Sequence, residues 1–280
     1  MSDRILTYTR AVAVIVIPFL VAASFLLYVL PGSTDQLFAW TIAPPFTAML
    51  LACAYLGGIW FFLQVVVQRR WHRVKHGFPA VFVFATLLGI ATFLHWDRFH
   101  FGHISFITWV TLYLTTPVLA LLVLILNWRE DDGRFDERDT AIPVPLRIVL
   151  ALIGAGSLIT GLTLFIAPGI LIDVWAWPLT PLTARVVGAV VTLPGMVNLW
   201  MLAEPRWSAF RWVFQAQLIS LGFMALAILI FSRDFIWSRP AAWLFVIGIA
   251  ASLLIYLAVY VSLDRARIRR PELSASSSPT

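Results

Sequence analysis

Eight long apolar runs dominate the sequence and limit the folds available to it. Each is long enough, or nearly so, to cross the ~30 Å of hydrocarbon in a bilayer at ~1.5 Å per helical residue. Because backbone N–H and C=O groups in lipid must find partners within their own segment, each run predicts a helix. With 61% apolar and 12% charged residues, the chain has more apolar surface than it can bury in water. We therefore predict an all-α, polytopic membrane protein with eight transmembrane helices, over approximately Ala11–Leu30, Phe46–Val67, Pro79–Trp96, Phe106–Asn127, Ile148–Ile170, Val186–Leu202, Val213–Ser232 and Ala241–Leu263.

Basic residues are distributed unevenly between the two ends of these runs. Of the 20 Lys and Arg residues, 16 fall on the side that holds both termini. An excess of Lys and Arg marks cytoplasmic loops, so the bias predicts a multi-pass protein of the bacterial cytoplasmic (inner) membrane with both termini in the cytoplasm. Topology also accounts for the formal charge of +6, and nucleic acid is not predicted as a partner. The four basic residues on the other side are Arg98, Arg185, Arg233 and Arg239.

One short motif occurs twice. The stretch FAWTIAPP, residues 38–45, returns in degraded form 137 residues later, where Trp177 corresponds to Trp40 and Pro181 to Pro44. Each copy lies between two long apolar runs. Since each half then holds four helices, an even number, both halves enter and leave the membrane on the same side. The pattern predicts two parallel four-helix repeats, related by an axis along the membrane normal.

The predicted division of the chain follows this repeat. Residues 1–128 form the first four-helix membrane repeat, and residues 144–264 form the second. Residues 129–143 form a polar linker, whose six carboxylates and three arginines between Arg129 and Thr140 predict a solvated cytoplasmic connector. Residues 265–280 form a basic and then low-complexity cytoplasmic tail, with a composition typical of disorder.

Two motifs carry a resemblance to known sequences. The FAWTI-x-PP stretch after a Pro-Gly turn, together with HWDRFH at residues 95–100, resembles a group of uncharacterised bacterial multi-pass membrane proteins. The resemblance covers most of the chain. It implies a bacterial inner-membrane protein, and it implies no activity, cofactor or functional residue.

The two copies of the FAWTIAPP motif form the first candidate site. Proline is favourable at a helix start, and the residue before a proline prefers extended backbone. One interpretation is a pair of irregular loops that line an outward-facing ligand pocket between the halves. The other is a pair of helix caps with interfacial tryptophans. The candidate ligand-binding residues are Trp40, Thr41, Pro44, Trp177, Thr180 and Pro181.

A second candidate site lies at the end of the third run, where three of the five histidines occur with one carboxylate. His and Asp are ligands for zinc, copper and iron, so His95, Asp97, His100 and His103 are candidates for a metal site. Solvated histidines at the membrane interface are the alternative. Charges at the same end predict ion pairs, either local or between the halves, among Asp97, Arg98, Arg233 and Asp234.

No stretch of the sequence specifies a reaction or a ligand. The central third of every run lacks Asp, Glu, Lys and Arg, whereas ion-driven carriers usually place an ionisable group there. The sequence also lacks nucleotide-binding glycine motifs, HExxH and CxxCH, so no catalytic residue and no cofactor is predicted. The bilayer is the one partner that the composition requires.

Three functions stay open at this point. The first is transport or binding of a small neutral or apolar solute at the repeat interface. The second is a non-catalytic accessory or scaffold subunit, whose helices contact a partner membrane protein. The third is a metal or redox site at the outer face, built from the histidines. A cavity between the halves, lined by Trp40, Thr41, Trp177 and Thr180, would favour the first function, whereas a solid interior would favour the second.

Overall fold

The computed structural model describes residues 3–127 and 129–269, and this part of the chain is helical apart from its connections. Eight of its helices are long and apolar enough to cross a membrane, which confirms the predicted number. The last helix continues six residues beyond the predicted end. The helices are α1 (Thr7–Val29), α2 (Pro45–Val67), α3 (Gly77–Leu94), α4 (Ile104–Asn127), α5 (Val144–Ile166), α6 (Pro181–Leu199), α7 (Arg211–Ile230) and α8 (Pro240–Arg269).

Helices α2 and α6 form the centre of the bundle. Helix α2 packs on α1 and on α7, and helix α6 packs on α5 and on α3. Helices α4 and α8 pack on α3 and α7, respectively. Over the most apolar 18 residues of each helix, 56% of α2 and 67% of α6 is buried, against 11% of α8. Helix α8 therefore lies at the periphery, where most of its side chains face outward.

Glycines bring α5 and α6 into backbone contact. A Cβ atom added at Gly161 would lie 2.7 Å from the carbonyl oxygen of Gly188. A Cβ atom added at Gly195 would lie 2.7 Å from the carbonyl oxygen of Gly154. Small residues permit such close approach between helices in lipid, where dispersion contacts replace the hydrophobic effect as the source of helix association.

Polar side chains within the apolar helices bond to neighbouring helices. The Tyr55 and Tyr113 hydroxyls, from α2 and α4, lie 2.6 Å apart. Gln215 of α7 accepts a hydrogen bond from Trp60 Nε1 at 3.0 Å and donates one to the Tyr260 hydroxyl at 2.5 Å. These bonds join four helices and satisfy polar groups that lipid cannot satisfy.

The connections between helices gather at two ends of the bundle. The tryptophan end, which contains both copies of the repeated motif, is formed by residues 30–44, 95–103, 167–180 and 231–239. The opposite end, called the basic end, is formed by residues 3–6, 68–76, 129–143 and 200–210.

Candidate functional site

The two motif tryptophans are core residues of the tryptophan end. Trp40 is 2% exposed and Trp177 is 0% exposed. The Trp40 ring packs against Trp109, with ring centroids 4.6 Å apart. Trp177 Nε1 donates a hydrogen bond to Thr47 Oγ1 at 3.0 Å, so it joins the second half of the chain to α2. Neither side chain is placed as an exposed interfacial tryptophan would be.

The other four candidate ligand-binding residues lie at helix starts or near solvent. Pro181 begins α6, and Thr180 caps that helix through a capping box. Pro44 immediately precedes α2, and Thr41 Oγ1 lies 3.3 Å from His100 Nε2. None of the six candidates lines either of the two cavities described below. The helix-cap interpretation therefore describes Thr180 and Pro181 directly.

The histidines at the tryptophan end contact separate groups rather than a common point. Within the described residues, the group of His, Cys, Asp and Glu side chains that brings three ligand atoms together lies at the basic end instead. Burial of the His95 ring and the nearby charge of Arg185 lower the pKa of His95. A ring nitrogen of His95 lies 2.7 Å from the Arg185 guanidinium. The corresponding contacts are the Phe38 carbonyl at 2.9 Å for His100 and the Ser105 hydroxyl at 2.5 Å for His103.

The four charged residues near these histidines have different roles. Asp97 and Arg98 form a predicted pair at 3.1 Å, but both side chains are more than 70% exposed, so the pair adds little stability. The Arg233 guanidinium lies 5.9 Å from the centre of a phenylalanine ring. Asp234 Oδ2 accepts a hydrogen bond from the backbone N–H of Phe46 at 3.0 Å. Asp234 thus satisfies an otherwise unpaired donor at the start of α2.

An apolar cavity of about 430 Å³ lies within the bundle. This volume falls within the ~300–1,000 Å³ typical of small-molecule sites. Its wall includes α2 and α3 from the first half of the chain and α5 to α8 from the second half. Gly156 and Gly248 line it, with open space where a Cβ would stand. Leu244 also lines it and is 71% exposed, so the cavity reaches the outer surface of the bundle.

Two polar side chains in the cavity wall have unused hydrogen-bonding groups. Within the described chain, the amide nitrogen and oxygen of Gln217 are buried and make no hydrogen bond of good geometry, although the amide interacts with the Tyr256 hydroxyl. The Tyr256 hydroxyl instead accepts a hydrogen bond from Asn198 Nδ2 at 2.5 Å. Trp175 Nε1 is also buried without a described partner. An unpaired buried polar group costs ~1–3 kcal/mol, so a ligand that pairs with these groups gains affinity.

A buried polar network lies at the basic end, and no local sequence pattern indicates it. His72 is 0% exposed and lies between two carboxylates: its Nδ1 is 2.6 Å from Asp3 Oδ2, and its Nε2 is 3.5 Å from Asp136 Oδ1. His72 Nε2 also lies 3.1 Å from Ser208 Oγ. Ser208 Oγ donates to Asp139 Oδ2 at 2.5 Å. The network joins the N-terminal residues, two helix connections and the linker.

The order Asp3–His72–Ser208 resembles a hydrolytic triad, but the protons are placed differently. In a triad, the serine hydroxyl donates to a neutral histidine. Here the Ser208 hydroxyl donates to Asp139, so its oxygen accepts from His72 Nε2. Burial lowers the pKa of His72, but hydrogen bonds to Asp136 and Asp3 outweigh burial and raise it above its ordinary value. Because the Ser208 proton points to Asp139 and not to His72, these three side chains are not arranged as a nucleophilic triad.

A second group of charges lies beside this network. Arg206 Nη2 lies 2.6 Å from both Asp131 Oδ2 and Glu204 Oε2, and Lys75 contacts the same two carboxylates. Burial opposes ionisation of both acids, but Arg206 and Lys75 hold the pKa of each carboxyl well below its usual range. Burial also lowers the pKa of His76 to about 4.

A metal ion is disfavoured at the basic end despite a suitable set of atoms. One ligand atom from each of Asp3, His72 and Asp131 lies within 4.8 Å of the others. However, Arg206 and Lys75 already contact the Asp131 carboxylate. A cation there would lie beside two positive charges, which is unfavourable in a partly buried site.

Most residues of the linker are exposed, but two of its carboxylates pack against the rest of the basic end. Asp139 is 1% exposed, and Asp136 contacts both Arg70 and Arg73. The physical reason is charge complementarity, since the acidic linker and the basic α2–α3 connection lie at the same end of the bundle. The sequence contains this signal, because both segments are predicted on the same side of the membrane.

No protein-family model, no curated protein and no solved structure matches the chain. The resemblance to bacterial membrane proteins therefore stays a prediction, and the function has to be argued from the geometry of the site.

Proposed function

We propose that the protein binds a small, largely apolar solute in the central cavity and transports it across the membrane. The observation that carries this proposal is an apolar cavity of about 430 Å³ whose wall contains the unpaired amide of Gln217. The exposed edge at Leu244 gives a solute dissolved in the bilayer a direct route into the cavity. A solid interior, as expected of a scaffold, has no such space.

The lining of the cavity selects a neutral solute. No Asp, Glu, Lys, Arg or His side chain is among the residues that line it. A charged solute would lose its hydration there without gaining a partner of opposite charge. Gln217 offers both a donor and an acceptor, so the preferred solute carries one hydroxyl, carbonyl or amide group on an apolar body.

We further propose that the chain consists of two parallel four-helix repeats that exchange contacts across a central axis. Helix α1 packs on α2 as α5 packs on α6, and α2 meets α7 as α6 meets α3. Matching hydrogen bonds support this arrangement at both ends of the bundle. At the tryptophan end, the N–H groups of His100 and Ile236 donate to the carbonyls of Ala39 and Ala176, both at 2.8 Å. At the basic end, the N–H groups of His72 and Ser208 donate to Oδ1 of Asp3 at 2.9 Å and of Asp139 at 2.8 Å.

The location that we propose is a bacterial inner membrane, with the basic end in the cytoplasm. The support for this orientation is the placement of 16 of the 20 Lys and Arg residues on the side of the termini. A solute that enters the cavity from the lipid would then be released toward either face.

Photolabelling tests the solute site. The full chain is reconstituted in phosphatidylcholine vesicles with a diazirine-bearing fatty alcohol, irradiated, and digested for mass spectrometry. We expect adducts at Gln217 and Tyr256, and we expect Gly248→Phe to remove them because the new ring occupies the cavity. Gly222→Phe is the matched control, since Gly222 is exposed, has open space around it and does not line the cavity. Unchanged adducts in Gly248→Phe would refute the proposal.

The alternative function is an accessory subunit of a membrane complex. The outward-facing surface of α8, whose most apolar 18 residues are only 11% buried, is the observation that favours it. If the adducts at Gln217 are absent from the unmodified protein and a second membrane protein copurifies stoichiometrically, the accessory role replaces the transport role.

A further inference from the structure

A second cavity, of about 350 Å³, lies at the basic end and is lined by polar side chains. It is formed by the α2–α3 connection, the linker and the adjacent ends of α7 and α8. Its size again falls within the ~300–1,000 Å³ range of small-molecule sites. Five of its lining residues are arginines: Arg70, Arg73, Arg138, Arg211 and Arg267.

The charge of this cavity favours an anion. Its lining contains five arginines and the three carboxylates Asp136, Glu137 and Asp139, which gives 5 − 3 = +2. Asp264, which contacts Arg211 and Arg267 from beside the cavity, reduces this sum to +1. A positive sum in a concave site raises the local concentration of anions.

Two of the arginines have terminal N–H groups without a hydrogen-bond acceptor in the described chain. Arg211 and Arg267 both bond to Asp264 Oδ1 through Nε, at 2.7 Å and 3.2 Å. Within the described chain, the terminal Nη atoms of both side chains make no hydrogen bond to protein. The Arg211 guanidinium also lies 4.5 Å from the centre of the Trp212 ring, which restricts its orientation. Arginine forks of this kind match the oxygens of phosphate in a bidentate manner.

We propose that this cavity binds a phosphate group, carried either by a membrane lipid headgroup or by a soluble phosphate compound. A phosphate monoester bears about −1.5 to −2 charge at neutral pH and presents three acceptor oxygens. It would complete the hydrogen bonds of Arg211 and Arg267 and more than offset the net charge of +1. Because Arg70 and Arg73 approach from the first half of the chain, the bound group would also bridge the two halves. This site is separate from the apolar cavity and does not depend on the proposed transport.

Two arms of one experiment distinguish the two sources of phosphate. In the first arm, the full chain is placed in nanodiscs of phosphatidylcholine with phosphatidic acid, and lipids retained after release are counted by native mass spectrometry. In the second arm, inorganic pyrophosphate is titrated into phosphatidylcholine nanodiscs and the Tm of the protein is measured. Retained phosphatidic acid indicates a lipid headgroup, and a Tm that rises with pyrophosphate indicates a soluble ligand.

The double variant Arg211→Gln/Arg267→Gln tests the residues. We expect apparent affinity in the responding arm to fall at least about tenfold, because hydrogen bonds to charged groups are among the strongest in proteins. Arg98→Gln/Arg233→Gln removes the same charge at the tryptophan end and should bind as the unmodified protein does. Arg211→Lys/Arg267→Lys keeps the charges beside Asp264 and should show an intermediate loss, which separates lost recognition from misfolding. Absence of both responses in the unmodified protein, or equal binding by the Gln variant, would overturn the proposal.

Discussion

The contact between α5 and α6 gives a quantitative test of the packing. In Gly161→Ala, the new Cβ would lie 2.7 Å from the Gly188 carbonyl oxygen and 2.9 Å from the Thr192 backbone nitrogen. Ordinary C···O contacts are about 3.3–3.6 Å, so the two helices must move apart by roughly 0.6–0.9 Å. A gap of that size forfeits about a quarter to a half of the dispersion energy of the atoms that face it. Overpacking of this kind typically costs about 1–3 kcal/mol.

Gly156→Ala is the matched control on the same helix. It brings the same gain in helix propensity, about 1 kcal/mol, but a Cβ at Gly156 meets no atom within 4 Å. The difference in stability between the two variants therefore measures the cost of overpacking. Cys53, the single cysteine of the chain, is 0% exposed, so its reaction with a thiol-specific fluorogenic dye reports thermal unfolding in detergent. We expect the Tm of Gly161→Ala to lie below that of Gly156→Ala by roughly 2–4 °C for each kcal/mol of overpacking cost. Equal Tm values for both variants would show that the helices are not in backbone contact.

Three further predictions concern the two ends of the bundle. Asp234→Ala should destabilise the protein by about 0.5–2 kcal/mol through loss of a bond to the first turn of α2, whereas Asp97→Ala should change its stability by less than about 1 kcal/mol; chemical unfolding of both variants compares them. The folded-state pKa of His72 lies above its unfolded value of about 6.5. The stabilisation from His72 is therefore fully present below that pH and is lost as the pH rises through the folded-state pKa. The free energy of unfolding, measured across this range, should decrease with rising pH in the unmodified protein, and this dependence should disappear in His72→Gln. In a cysteine-free background, Ser238→Cys should react with an impermeant maleimide on intact cells and Phe135→Cys should not, and the reverse pattern would invert the proposed orientation.

The eight helices were predictable because the physical constraint on them is local. A run of uncharged residues of sufficient length must satisfy its own backbone in lipid, whatever its neighbours are. The helix ends were harder to predict, because they depend on contacts beyond the apolar run. Helix α8 extends past Leu263 as Asp264 meets Arg211 of α7, and that contact joins residues 53 positions apart.

The position of the repeated motif was predictable, but its surroundings were not. Tryptophans at the ends of apolar runs usually lie in the interfacial belt. Here Trp40 is covered by Phe99 and Trp109. Trp177 is covered by Phe235 and by Phe245 of α8. These covering residues are 58 to 69 positions away in the sequence, so no local pattern identifies them. The apolar cavity could not be predicted from the sequence either, because its volume depends on how six helices pack around it.

The burial of Asp3 has a consequence for the biogenesis of the protein. Asp3 bonds to His72, and the other side of the His72 ring faces Asp136 and Ser208. Ser208 is synthesised 205 residues after Asp3, which takes roughly 10–40 s at the usual rate of about 5–20 residues per second. For most of that interval, the Asp3–His72 pair lacks Ser208, which has not yet been synthesised. The first four helices therefore enter the membrane early but acquire the final structure of their basic end only when most of the second half has been translated.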